Sequence, residues 1–226
     1  MDIKEILAAT EHTLLSPSAV WLDVKRVCDE AVKYKAAAVC IPPCFVKKAA
    51  EYVRGRVKIC TVAGFPHGNA CTEAKCFEAE RAERDGANEI SMVINIGMVK
   101  EKRYADVLAE INAVSDYCRY STLKAIVETC LLTQEEKVKL CDVVSASRAQ
   151  YIETSTGFSA GGATVGDTEL LAKNMRGLTL VKAAGGIESL EEAEALLTAG
   201  AHRIGSDKIV KIAKQIEYKE KLNGGK

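Results

Sequence analysis

Tyr151-Ile152-Glu153-Thr154-Ser155-Thr156-Gly157-Phe158-Ser159-Ala160-Gly161-Gly162-Ala163-Thr164 begins as an apolar pair suited to a strand and breaks into a loop of serine, threonine and glycine. Aromatic and β-branched residues favour extended structure, and Gly157, Gly161 and Gly162 let backbone approach a ligand closely. The hydroxyls and free N–H groups of such a loop suit an anion such as a phosphate. Glu153 stands at its mouth. An ordinary strand-to-helix loop uses the same residue types, so the stretch alone establishes a strand end that opens onto a loop and a following helix.

The same unit repeats in both directions along the chain. Short β-like runs at residues 11–15, 37–41, 57–63, 89–95, 123–127, 151–154, 178–182 and 203–205 alternate with amphipathic stretches, the mark of a parallel sheet with crossover helices. Several runs are nearly all apolar, as expected of strands covered on both faces. Thr133-Gln134-Glu135-Glu136 and Ser189-Leu190-Glu191-Glu192 match the capping box and fix two helix starts. A short helix is expected at residues 3–9, and the charged, Gly-containing tail at 218–226 is expected to fray. Eight β/α units in 226 residues predict an α/β protein of one domain, residues 1–226, folded as a closed (β/α)8 TIM barrel with a short N-terminal helix and its chemistry at the C-terminal strand ends. The competing open, doubly wound sheet would need a G-x-G-x-x-G after its first strand, and none is present.

Composition narrows the function classes. Thirty-one basic residues balance 31 acidic ones, and no basic stripe interleaved with aromatics suggests nucleic acid. No run of roughly 18 apolar residues suggests a membrane span. The 9 cysteines are odd in number and form no C-x-x-C pair, so they read as reduced, packed thiols. The expected setting is cytoplasmic. The expected partner is a small-molecule substrate, with no nucleic acid, no membrane and no cofactor, and with a homodimer left open as the assembly. No His-x-His or H-E-x-x-H spacing supports a metal centre.

Seven segments resemble the deoxyribose-phosphate aldolases, and together they span nearly the whole chain: Glu11-His12-Thr13-Leu14-Leu15, Thr61 to Gly68 (TVAGFPHG), Met92 to Gly97 (MVINIG), Glu128 to Thr133 (ETCLLT), residues 154–164, Lys182 to Ile187 (KAAGGI), and Arg203-Ile204-Gly205. The resemblance implies a class I aldolase barrel that cleaves 2-deoxyribose 5-phosphate to glyceraldehyde 3-phosphate and acetaldehyde. It also implies that a lysine immediately before T-S-T-G forms a Schiff base with the substrate. Here that position is Glu153, and a carboxylate cannot form an imine. The family's second lysine is retained as Lys182. Its proton-relay aspartate is replaced by Ser91, and the aspartate of its first strand by Glu11. At the phosphate end, Gly185, Gly186 and Gly205 remain, as does Gly157 of the T-S-T-G loop. Ser206-Asp207-Lys208 follows R-I-G, and Glu188 replaces a frequent arginine; Asp207 and Glu188 are expected to repel a phosphate dianion.

The departures cluster at strand ends while the scaffold segments are intact, which favours a rebuilt pocket over a decaying fold. Ser91, Glu153 and Lys182 are expected to converge on one cavity, with His67 on the loop after the third strand, Asp207 near the rim and His12 on the first strand. Three readings follow. Glu153 serves as a general base with Ser91 as hydroxyl nucleophile or donor, and His67 activates Ser91. Alternatively, Lys182 replaces the lost imine-forming amine, although Glu153 beside it favours its charged form. The third reading is a binder without turnover.

Overall fold

The strands divide their faces: outward side chains are mostly apolar and meet helices, with Thr10, His12 and Thr61 as buried polar exceptions, and inward side chains mix charged groups with a small apolar cluster at β2 and β3. The computed structural model describes residues 1–223. Eight parallel strands run in sequence order, β1 (Thr10–Thr13), β2 (Ala38–Cys40), β3 (Lys58–Ala63), β4 (Glu89–Val93), β5 (Thr122–Ile126), β6 (Tyr151–Glu153), β7 (Leu180–Ala184) and β8 (Arg203–Ser206). They form a closed barrel, with β8 paired back onto β1 through Glu11 opposite Gly205. Helices follow the strands on the outside: α1 (Ile3–Ala8) precedes β1, and α2 (Trp21–Lys33), α3 (Val46–Val53), α4 (Thr72–Arg84), α5 (Ile96–Lys100), α6 (Tyr104–Tyr117), α7 (Gln134–Ala146), α8 (Val165–Asn174), α9 (Leu190–Thr198) and α10 (Ile209–Asn223) fill the crossovers and close the chain.

Alternation along β4 and β5 shows the division. Ile90 and Met92 of β4, with Leu123 and Ala125 of β5, are buried in the layer shared with the helices. The residues between them on the same strands, Glu89, Ser91 and Lys124, are also buried and lie on the other face. The period of two that defines a strand thus sorts the sequence into a greasy outer layer and a charged barrel interior. The expectation of strands apolar on both faces holds for β2 and for most of β3, where interior Ala38, Cys40, Cys60 and Val62 cluster, and fails where charged residues occupy the inner face of β1 and β4 to β8.

All eight expected strands form, with ends shifted by up to two residues. The largest shift is at β7, which starts at Leu180 and runs on to Ala184, because Leu178 lies in a turn and is 95% exposed. The fourth strand stops at Val93, since Asn95 accepts a hydrogen bond from the Met98 N–H and caps α5. Both expected capping boxes are present, on α7 and α9. A third, missed in the sequence, has Asp2 and Glu5 at the head of α1. The tail expected to fray from residue 218 is helical through Asn223 as part of α10; its last residues, 224–226, lie outside the described residues. Among the described residues no helix is long and apolar enough to cross a membrane.

Candidate active site

The C-terminal mouth of the barrel holds a cavity of about 450 Å³. Its floor is Ser91 of β4, Glu153 of β6 and Lys182 of β7, and its walls include Phe65, Ile126 and Phe158. The three floor residues touch because they sit at inward positions on strands that are nearly adjacent, and Glu153 pairs in register with Lys182. The Ser91 hydroxyl donates to Glu153 Oε2 at 2.7 Å, and Lys182 Nζ forms an ion pair with Glu153 Oε1 at 2.9 Å.

Below this floor the contacts continue. Lys182 Nζ also donates to Glu11 Oε2 at 2.6 Å, while Lys124 Nζ reaches Glu11 Oε1 at 2.6 Å and Glu89 Oε2 at 2.5 Å. Arg203 approaches both Glu89, at 3.3 Å, and Glu11, at 3.4 Å. A connected run of three carboxylates and three cations therefore threads the barrel from Arg203 to Ser91. Burial would push the Glu11 carboxyl up, but the ammonium groups of Lys124 and Lys182 outweigh it and hold Glu11 well below the usual carboxylate range. Lys182 responds in the opposite sense: burial lowers it, and Glu11 and then Glu153 overcome that and raise it well above the ordinary lysine value. Lys182 is thus an ammonium at neutral pH. It donates to Glu11 and pairs with Glu153, and an ammonium carries three N–H donors, so at least one is left for a ligand.

The loops at the rim are stitched together by backbone. Ala163 N–H donates to Ala184 O at 3.1 Å and to Gly185 O at 3.0 Å, and a Cβ placed on Gly162 would come within 2.2 Å of Gly185 O. Only glycine fits there. Gly157, Gly185, Gly186 and Gly205 all line the cavity, as does Ser206. The Ser206 hydroxyl is already committed, donating to Ile187 O at 2.8 Å and accepting from Lys208 N–H at 3.0 Å. Asp207 lines the rim, where it pairs with Lys211 at 2.8 Å and Lys208 at 3.3 Å. Its partial burial acts to raise the carboxyl, and the two lysines outweigh that and hold it low. Much of its expected repulsion is therefore compensated within the protein. Glu188 is exposed at the same rim, and no ion pair holds it among the described residues.

His67 does not join the floor. Gly64 adopts φ +62° at the end of β3 and its carbonyl accepts from Gly68 N–H at 2.8 Å, a turn that presents Phe65 to the cavity and leaves His67 exposed. The Ser91 hydroxyl gives its hydrogen bond to Glu153, and among the described residues no hydrogen bond joins it to His67. His12 faces outward and is fully buried against α2, with Nε2 3.0 Å from Glu30. Four interior groups were not singled out from the sequence: Glu89, Lys124, Arg203 and Cys60. Their signal was parity, since Glu89 and Ser91 are two apart and Lys124 is a lone charge inside an apolar strand.

Comparison with known proteins agrees with this architecture. Residues 5–206 match the family described as DeoC/LacD family aldolase. A deoxyribose-phosphate aldolase of Streptococcus pyogenes serotype M4 is 49% identical over 214 residues, covering 95% of this chain and 96% of its own, and one of Streptococcus agalactiae serotype Ia is 48% identical over 220 residues, covering 97% and 99%. Among solved structures, a tetrameric deoxyribose phosphate aldolase from Aeropyrum pernix superposes with a TM-score of 0.85 at 29% identity, covering 96% of this chain and 92% of its own. With a closed eight-stranded barrel and near end-to-end similarity to these relatives, the chain belongs to the DeoC/LacD family of aldolases.

Proposed function

We propose that this chain is a deoxyribose-phosphate aldolase scaffold whose pocket has been rebuilt, so that it takes a small carbonyl compound without forming an imine, and that cleavage of 2-deoxyribose 5-phosphate is lost or reduced by several orders of magnitude. The observation that carries this reading is the pairing at the floor. Position 153 offers a carboxylate, and the nearest amine, Lys182, is an ammonium clamped between Glu11 and Glu153 at 2.6 and 2.9 Å. Imine formation needs a neutral amine. What the floor can do instead is move a proton. The Glu153 carboxylate accepts a proton from the carbon beside a bound carbonyl, the C–H electron pair forms the C=C bond of the enolate as the carbonyl π pair moves onto oxygen, and an N–H of Lys182 stabilises that oxyanion. Ser91 holds Glu153 in place through its 2.7 Å hydrogen bond.

A second reading, a binder without turnover, is favoured by one fact: both oxygens of Glu153 are already occupied. Incubation with acetaldehyde and borohydride should leave Lys182 unmodified. A separate incubation of short aldehydes and ketones in heavy water should show α-deuteration that disappears in Glu153→Gln. A trapped adduct at Lys182, or wild-type-like release of acetaldehyde from the sugar phosphate, overturns the proposal; binding without deuteration selects the second reading. The assembly is proposed as a homodimer, supported by exposed Phe77 and Tyr117 on the neighbouring helices α4 and α6, and sedimentation as a monomer would sink it.

A further inference from the structure

Beneath the cavity, Cys40 of β2 and Cys60 of β3 sit opposite each other in register on neighbouring strands. Both are buried and free, their sulfurs and a Glu11 oxygen lie within 4.8 Å of one another, and Cys40 lines the cavity itself. Cys60 Sγ is 3.4 Å from Lys124 Nζ and 3.8 Å from the Ser91 hydroxyl.

Two thiols and a carboxylate invite a metal ion, but the surroundings argue against one. Both Glu11 oxygens already neutralise lysines at 2.6 Å, so a metal ion there would have to share that single carboxylate with two buried ammonium groups. A cation placed between the sulfurs would also add positive charge beside the Lys124 ammonium. Oxidation of the pair meets neither obstacle, because it removes two hydrogens and leaves the charge of the site unchanged.

We propose that Cys40 and Cys60 form an oxidisable dithiol whose state is coupled to the cavity floor. The strands carrying them lie about 4.8 Å apart, inside the roughly 4.4–6.8 Å between Cα atoms that a disulfide spans. A hydroperoxide entering the cavity oxidises one thiol to a sulfenic acid, with the peroxide O–O bond breaking and water, or the alcohol of an organic peroxide, leaving. The neighbouring thiol then attacks that sulfur, the S–S bond forms, and a second water departs. The disulfide draws Cys60 Sγ toward Cys40 and away from Lys124 and Ser91, so the polar contacts that position Ser91 and, through it, Glu153 differ between the two states. The pairing stands on the thiol geometry alone, while its coupling to the floor rests on the carbonyl binding proposed above; peptide mapping tests the first, and reduced protein that binds no acetaldehyde would instead count against that binding.

The test is treatment of the folded protein with hydrogen peroxide or diamide, alkylation of the remaining thiols, and peptide mapping. The expected result is a linked peptide pair containing residues 40 and 60, reversed by dithiothreitol, while buried Cys28, Cys118 and Cys141 stay reduced. Acetaldehyde affinity, measured by titration, should differ at least severalfold between oxidised and reduced protein, and that difference should vanish in Cys60→Ala. If Cys60→Ala does not fold, mapping of the unsubstituted protein still decides the pairing, and comparing its oxidised and reduced forms still decides the coupling. Cys40 and Cys60 remaining alkylatable after the exposed Cys44, Cys71 and Cys130 have been oxidised would overturn the proposal, as would a disulfide with no effect on binding.

Discussion

Glu11 has no exposed surface, and each of its carboxylate oxygens holds a different lysine at 2.6 Å. Glu11→Gln would leave Lys124 leaning on Glu89 and Lys182 on Glu153, two ammonium groups short of a shared counter-charge. Breaking a buried pair from one side costs about 3–5 kcal/mol, and a drop of that size in urea unfolding is expected. A loss below about 1 kcal/mol would show that the interior rearranges around the missing charge. The same residues set the pH profile. Glu11 and Glu89 titrate lower when folded, so their stabilisation is complete above the unfolded value near 4.3 and is lost as pH falls below it. His12, lowered first by burial, contributes a smaller decline: the unfolded chain takes up a proton near 6.5 that the folded chain resists. On the alkaline side, burial holds Cys28 at about 11 and Cys118 and Cys141 at about 12, so the folded chain retains protons that the unfolded chain releases and stability falls from about pH 8.5 upward. Lys124 and Lys182, both raised, keep their contribution until still higher pH. Thermal melting should therefore peak between about 6.5 and 8.5, and a melting temperature that kept rising below pH 4 would contradict these assignments. Ser91, Glu153 and Lys182 were legible as neighbours because strand parity and motif spacing place them without knowledge of any loop. His67 lies on the loop after β3 as expected, but its direction was not legible, because a turn set by Gly64 and closed by Gly68 decides where it points and sequence spacing carries no such direction.

At the scale of elements, buried Lys75 on α4 ties three pieces together. Its ammonium donates to Gly68 O at 2.7 Å, Val93 O at 2.9 Å and Glu110 Oε1 at 2.7 Å, joining the loop after β3, the end of β4 and helix α6. A Cβ on Gly64 would lie 2.8 Å from the lysine stem, so the loop runs directly against it. Lys75→Met keeps the stem and removes the charge, which leaves Glu110 buried with only Asn95 N–H as a partner. The expected cost is about 3–5 kcal/mol, with hydrogen exchange accelerating first at residues 64–68; uniform acceleration across the barrel would mean that Lys75 clamps no particular loop. Which elements exist was readable from alternation and from the capping boxes at Thr133 and Ser189. Their ends were less so, as at Leu178, where an apolar residue that fits a strand pattern lies in a turn. The clamp itself was invisible, because a lysine on a helix reads as a solvated charge until the loop that covers it is in place.

The whole molecule balances its interior charge, and that balance decides whether the family's chemistry can be restored. Among the described residues, Glu11, Glu89 and Glu153 face three buried or part-buried cations, Lys124, Lys182 and Arg203, while solvent-exposed Lys58 reaches Glu89 only from outside, at 3.4 Å. Glu153→Lys alone would leave two carboxylates facing four basic groups in a largely buried space, and we expect a destabilised protein with no trapped adduct. Adding Ser91→Asp gives three carboxylates against four basic groups. The interior then becomes neutral only if one amine gives up its proton, and the amine introduced at position 153, repelled by Lys182 and lining the cavity, is the one placed to do so. A neutral amine is what imine formation requires. The double variant should therefore be more stable than the single one, should trap acetaldehyde under borohydride, and should recover part of the sugar-phosphate cleavage. Asp207→Ser should add little, since Lys208 and Lys211 already neutralise that carboxylate. Glu188→Arg should add more, because it exchanges an exposed negative charge, without an ion pair among the described residues, for a positive one beside the glycine-lined rim. Melting temperature, adduct mass and acetaldehyde release measured across the four variants test the argument together. A single variant as stable and as reactive as the double one would show that charge balance in the barrel does not govern the amine.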